Sequence, residues 1–132
     1  MSTIINVTIV EDNLPLAELL KEVLEEDGFY VCHVDTVSVQ IFLALCPEPP
    51  DVLVCDMNLP GGSGTDLCRE VLKRFPKCNP VLMSGDPGPL PCDFSVTVLR
   101  KPFTLLEFRH LVGELAKHDR IDRSPGQSSL AG

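Results

Sequence analysis

The chain has 132 residues, 44% of them hydrophobic and 23% charged, which suits one folded domain and leaves too little chain for two ordinary cores. Nineteen acidic against eleven basic side chains give a formal net charge of -8; with no Lys/Arg cluster, this argues against direct nucleic-acid or anionic-membrane partners. No apolar run approaches the length of a membrane span, and the N-terminus lacks a basic region followed by an apolar block, so the reading is a cytoplasmic protein.

Residues 4–10 form a strand-like run that ends in Glu11-Asp12-Asn13. Pro15 suits the first turn of a helix, and Leu16, Leu19, Leu20, Val23 and Leu24 make one apolar stripe that Asp27-Gly28 terminates. The acidic run Glu25-Glu26-Asp27 reads as a solvated face. Residues 29–34 predict a second strand. Thr36 is placed to cap a second helix with Val37, Ile41, Ala44 and Leu45 inward, stopped by Pro47-Glu48-Pro49-Pro50.

Residues 52–56, Val-Leu-Val-Cys-Asp, then read as a buried parallel strand that delivers one carboxylate, Asp56, to the edge of a sheet. Alternation along that strand points Cys55 to the opposite face. A glycine-rich turn leads to a third helix with Leu67, Cys68, Val71, Leu72 and Phe75 on one face, ended by Pro76. Residues 80–83 predict a fourth strand that leaves through Ser84-Gly85, and residues 96–99 a fifth that runs into Arg100-Lys101-Pro102. Thr104 and Glu107 have capping-box spacing for a last helix with Leu105, Phe108, Leu111, Val112 and Leu115 inward.

Alternating strands and helices predict a doubly wound α/β fold with a five-stranded parallel sheet in the order 2-1-3-4-5. One crossover breaks the rhythm. Pro87, Pro89 and Pro91 crowd the interval between Ser84 and Val96, so the fourth helix is expected to be reduced or absent. From His118 the chain turns polar and loses periodicity, which divides it into a domain over 1–117 and a tail or linker over 118–132. Cys32, Cys46, Cys55, Cys68, Cys78 and Cys92 include no C-x-x-C pair, and most are expected to be reduced core fillers rather than disulfides or zinc ligands. His33, His110 and His118 read as ordinary surface histidines.

In the predicted strand order, the ends carrying Glu11-Asp12, Asp56, Ser84 and Lys101 converge at the topological switch point. Taken singly, the acidic pair could serve a helix dipole, Ser84 a turn, and Lys101 solvent. Together they form a chemical set. Two carboxylates 4 Å apart repel by roughly 4 kcal/mol at an effective dielectric near 20, so the cluster calls for a cation, and an all-oxygen site suits Mg²⁺. A carboxylate beside a divalent cation, a hydroxyl and an ammonium is equipped to accept a phosphoryl group: Asp56 as nucleophile, Lys101 and Mg²⁺ balancing the charge, Ser84 bonding an equatorial oxygen.

Glu11-Asp12, Asp56 followed by Met57-Asn58-Leu59-Pro60-Gly61, Gly64, Ser84 and Lys101-Pro102-Phe103 resemble the receiver domain of two-component response regulators over residues 4 to about 117. The resemblance implies a flavodoxin-like fold, phosphotransfer to Asp56 from a histidine kinase or phosphotransfer protein, and a conformational signal to a downstream protein effector. It also implies that Asp12 binds Mg²⁺ directly, Glu11 through water and Asn58 through its backbone carbonyl, with a cis bond before Pro102. Such a domain is modified rather than being a turnover enzyme. Asn58 and Asp86 resemble positions that orient the attacking water in rapidly self-dephosphorylating receivers; Asp86 equally suits the start of the Asp86-Pro87 turn.

Two departures stand out. Val98 occupies the position of the family's usual switch aromatic, and the proline-rich crossover removes much of a face that receivers commonly use for docking. A phosphorylation-independent docking module is therefore an alternative reading. A haloacid-dehalogenase-type phosphohydrolase is another, but that family wants an Asp where Asn58 stands and places its acidic pair after the nucleophile.

Overall fold

The computed structural model describes residues 4–86 and 94–117. In chain order the elements are β1 (Asn6–Val10), α1 (Leu14–Glu26), β2 (Tyr30–Val34), α2 (Val39–Leu45), β3 (Val52–Asp56), β4 (Asn58–Leu59), β5 (Gly62–Ser63), α3 (Gly64–Arg74), β6 (Asn79–Ser84), β7 (Thr97–Arg100) and α4 (Leu105–Leu115). Five strands form a parallel sheet in the order β2-β1-β3-β6-β7, while β4 and β5 make a separate antiparallel hairpin. Apart from that hairpin, the sheet is the expected 2-1-3-4-5 arrangement.

The β-branched and aliphatic runs are buried on both sheet faces, which is what makes a parallel sheet stable. On one face Val7, Ile9, Val52, Val54, Val81 and Met83 pack with Leu20, Val23 and Leu24 of α1 and with Phe108, Val112 and Leu115 of α4. On the other, Val10, Leu53, Cys55 and Leu82 pack with Phe42 of α2 and with Leu67, Cys68, Val71 and Leu72 of α3. Each fully buried aliphatic side chain contributes about 1.5–3 kcal/mol, so the two layers together fix the strand register. Cys55 does face away from Asp56, toward α3.

Helix α1 ends as expected: Gly28 takes φ 94°, a conformation that a side chain would disfavour. Its apolar stripe is shifted, however, because Ala17 is buried and Leu19 is 43% exposed. Helix α2 differs more. It starts later than expected, Ser38 rather than Thr36 caps it through a bond from the Ile41 N–H at 3.2 Å, and Phe42 rather than Ile41 or Leu45 is its buried anchor. In two turns of helix one side chain is fully buried, the aromatic, with Val39 and Leu43 partly buried beside it.

The cysteines also require a correction. Cys55, Cys68 and Cys78 are buried, but Cys32 and Cys46 are joined in a disulfide with their Cα atoms 6.2 Å apart. They lie on different elements 14 residues apart, β2 and the C-cap of α2, so spacing along the chain carried no sign of the pairing. Residues 85–86 and 94–96, which flank the crossover between β6 and β7, are not helical. The proline-bearing residues 87–93, including Cys92, and the tail expected over 118–132, including His118, lie outside the described residues.

Candidate functional site

The carboxyl ends of the strands are brought level by register. Val10 pairs with Cys55, Asp56 with Met83 and Ser84 with Arg100. Beyond the ladders, the Glu11 N–H donates to the Val34 carbonyl at 3.0 Å, Met57 N–H to Met83 at 3.0 Å and Lys101 N–H to Ser84 at 2.8 Å. Glu11, Asp56, Ser84 and Lys101 therefore emerge along one edge. The Lys101–Pro102 peptide is cis.

Glu11, Asp12 and Asp56 each offer a carboxylate oxygen within 4.8 Å of the others. Glu11 is 1% exposed and Asp56 9%, whereas Asp12 is open to solvent. Lys101 Nζ lies 3.3 Å from Glu11 Oε1 and 3.3 Å from Asp56 Oδ2. The second Asp56 oxygen, Oδ1, accepts from the Asn58 N–H at 3.2 Å. Asn13 both caps α1, taking the Leu16 N–H, and donates its own N–H to Glu11 Oε2 at 3.1 Å.

Burial is the main influence that raises the Glu11 carboxyl above its ordinary value; the Asn13 N–H and Lys101 oppose this, while Asp56 reinforces it. Burial pulls the Lys101 ammonium down, but Glu11 and Asp56 more than offset it and hold the group above its usual value. The Lys101 ammonium thus pairs with two of the three clustered carboxylates, Glu11 and Asp56. An oxygen-only donor set with uncompensated negative charge and one member open to water fits a hard divalent cation such as Mg²⁺.

Ser84 is buried, and its hydroxyl oxygen accepts from the Asp86 N–H at 3.1 Å. Asp86 is exposed, and its carbonyl is held by the Arg100 guanidinium. Ser84 thus lies on the same sheet edge as the acidic pocket but is engaged by the loop that follows it. Asn58 is exposed and its backbone N–H is committed to Asp56. Val98 is half-buried and pairs with Leu82.

Two contributors escaped the sequence reading. His33 is not an ordinary surface histidine: it is half-buried and its Nε2 lies 2.8 Å from the Glu11 carbonyl. Strand parity could not reveal this, because the partner is backbone. Asn13 could have been found, since an Asn two residues before Pro15 is a natural helix cap.

A doubly wound α/β domain with an acidic, lysine-bearing pocket at its switch point is a defined class of protein. The sequence matches the response regulator receiver domain family over residues 7–88. In structure the chain is similar to the signal receiver domain of a signal transduction histidine kinase from Syntrophus aciditrophicus, at 27% identity and TM-score 0.73, covering 85% of this chain and 89% of that one. It is similar to a response regulator receiver domain from Methylobacillus flagellatus at 27% identity and TM-score 0.70, covering 86% and 99%. A receiver domain protein from Methanospirillum hungatei JF-1 shares the fold at 19% identity and TM-score 0.74, covering 87% and 95%. The chain belongs to the response regulator receiver domain family of two-component signalling. Among the described residues no helix is long and apolar enough to cross a membrane.

Proposed function

We propose that this receiver domain accepts a phosphoryl group on Asp56 from a phosphohistidine of a histidine kinase or phosphotransfer protein, and passes the change on to a protein partner. The observation that carries the proposal is the placement of Asp56: nine-tenths buried, 3.3 Å from Lys101, and clustered with Glu11 and Asp12. In the transfer, a bond forms between an Asp56 carboxylate oxygen and phosphorus, the phosphorus–nitrogen bond breaks, and the imidazole leaves with the electron pair. Lys101 stays paired with the growing negative charge on the phosphoryl oxygens. Ser84 contributes its hydroxyl once the Asp86 N–H releases it.

Glu11, Asp12, Asp56 and the Asn58 carbonyl would hold Mg²⁺, which supplies charge neutralisation for the phosphoryl oxygens when bound. Asn58 and Asp86 orient the water that later removes the group. The domain acts as a switch that is reset by its own hydrolysis and is not a turnover enzyme.

Intact-mass spectrometry after incubation with acetyl phosphate tests this reading. The wild type gains one phosphoryl group only with Mg²⁺, Asp56→Ala gains none, and Asn58→Ala and Asp86→Ala lose the group more slowly than wild type. A wild type that takes up no phosphoryl group, and binds no beryllofluoride, would leave a docking module that has kept the fold without the chemistry.

A further inference from the structure

The Cys32–Cys46 disulfide has no part in phosphoryl chemistry, yet it joins a strand that supports the site to a helix that follows directly on a residue packed beside it. Cys46 is the C-cap residue of α2, and Cys32 lies in the middle of the edge strand β2. At its far end β2 holds Glu11: the Val34 carbonyl takes the Glu11 N–H and His33 bonds the Glu11 carbonyl. Just before α2, Val37 packs against Gly62, where an added methyl group would lie 3.0 Å from Val37 Cγ2. Gly62 belongs to the hairpin that follows Asp56.

Apart from the bridge, helix α2 is held by Phe42, which is buried, and by Val39 and Leu43, which are partly buried against the same core. It has seven residues, and a helix of that length is not stable by itself in water. The bridge is also within reach of solvent. Both cysteines line an open cavity of about 570 Å³, together with Thr8, Tyr30, Leu45 and Glu48. Cys32 is half-buried, whereas Cys46 is 4% exposed.

We propose that Cys32–Cys46 is a redox-responsive site: a thiol–disulfide switch, addressed by a dithiol reductant through this cavity, that sets whether α2 is clamped to β2. A thiolate of the reductant attacks the more accessible Cys32 sulfur, a mixed disulfide forms, and Cys46 leaves as thiolate and takes a proton. The second thiol of the reductant then displaces Cys32, so that two electrons and two protons reach the cysteine pair and the reductant becomes a disulfide. Release of the clamp loosens α2 and, through Val37, the turn after Asp56. Any change in phosphoryl acceptance rests on the function proposed above; the bridge and its hold on α2 do not.

The test uses the full chain equilibrated either with oxidised glutathione or with dithiothreitol, trapped by alkylation for mass spectrometry and followed in parallel by hydrogen exchange. In the oxidised sample the Cys32 and Cys46 peptides are recovered joined. Reduction speeds exchange over residues 39–45 by about tenfold or more, the order expected when a loop of this length loses its cross-link, and raises exchange over residues 60–63. Cys32→Ser and Cys46→Ala exchange like reduced wild type in either buffer. Recovery of both cysteines as alkylated thiols after oxidation overturns the proposal, as does a bridge whose reduction leaves exchange over residues 39–45 unchanged. If Asp56 takes up no phosphoryl group in either state, the proposed function falls while the exchange comparison still decides the switch.

Discussion

Gly64 opens α3 directly behind the candidate phosphoacceptor. A methyl group there would lie 2.0 Å from the Asp56 carbonyl oxygen and 2.9 Å from Cys55 Sγ. The first obstruction is backbone of a fully buried strand, which cannot rotate away, and the Gly64 N–H is already bonded to the Met57 carbonyl at 2.8 Å. Gly64→Ala is therefore expected to cost about 3 kcal/mol or more, read as a lower urea midpoint, because the strand end itself must shift. Gly62→Ala makes a useful contrast. Its added methyl meets only a Val37 side chain, and about 1 kcal/mol or less is expected. In the sequence Gly64 was visible as part of a motif, but the reason for it was not, since a close approach between a helix start and a strand end exists only after folding. The same holds for Glu11: its carboxylate was legible as a strand-end acid, while the support of its backbone by His33 and Val34 was not.

Among the elements, those with strong periodicity or chemical punctuation were the legible ones. The α3 face, the Asp27-Gly28 stop and the Thr104/Glu107 capping box all appear in the structure, the last with both reciprocal bonds. Helix α2 was misread in its cap and its inward face because a seven-residue helix has too few turns to display a period, and which side chain enters the core is decided by the sheet beneath it. The long helices α1 and α4 are tied together at the surface. Arg109 Nε donates to Asp27 Oδ2 at 3.0 Å, with a second bond to Oδ1. That hydrogen bonding holds the Asp27 carboxyl below its ordinary 3.8. A depressed carboxyl stabilises the fold at every pH above its unfolded value, and the stabilisation is lost as pH falls through the folded one. Asp27→Asn should therefore lower the melting temperature by a small, salt-sensitive amount that is constant above about pH 5 and shrinks below the ordinary carboxylate value. Thermal melts from pH 7 down to pH 3 measure it, and a difference that grows on acidification would contradict the assignment.

For the molecule as a whole, parallel register converts a one-dimensional pattern into a site. Every strand that ends in a chemical side chain ends at the same edge, so the order 2-1-3-4-5 was enough to predict which residues would converge, with the β4–β5 hairpin the addition it did not foresee. Side-chain commitments were beyond it, as Ser84 shows by facing the following loop. The same geometry concentrates negative charge: three carboxylates cluster with one ammonium paired to two of them, within a chain of net charge -8. Without a cation this arrangement opposes folding, and a cation that binds the folded pocket and not the unfolded chain must stabilise it by mass action. At a Mg²⁺ concentration ten times the dissociation constant the gain is about 1.4 kcal/mol, or a rise of about 4–8 °C in melting temperature for a domain of this size. Asp12 is the exposed member of the cluster, so its substitution separates charge relief from packing. In a chelating buffer Asp12→Asn should melt at or slightly above the wild-type temperature, because one like charge has gone. In Mg²⁺ it should lose most of the rise. Wild-type melting that is indifferent to Mg²⁺, with Asp12→Asn shifted equally in both buffers, would mean that the three carboxylates are balanced by Lys101 and solvent and hold no metal.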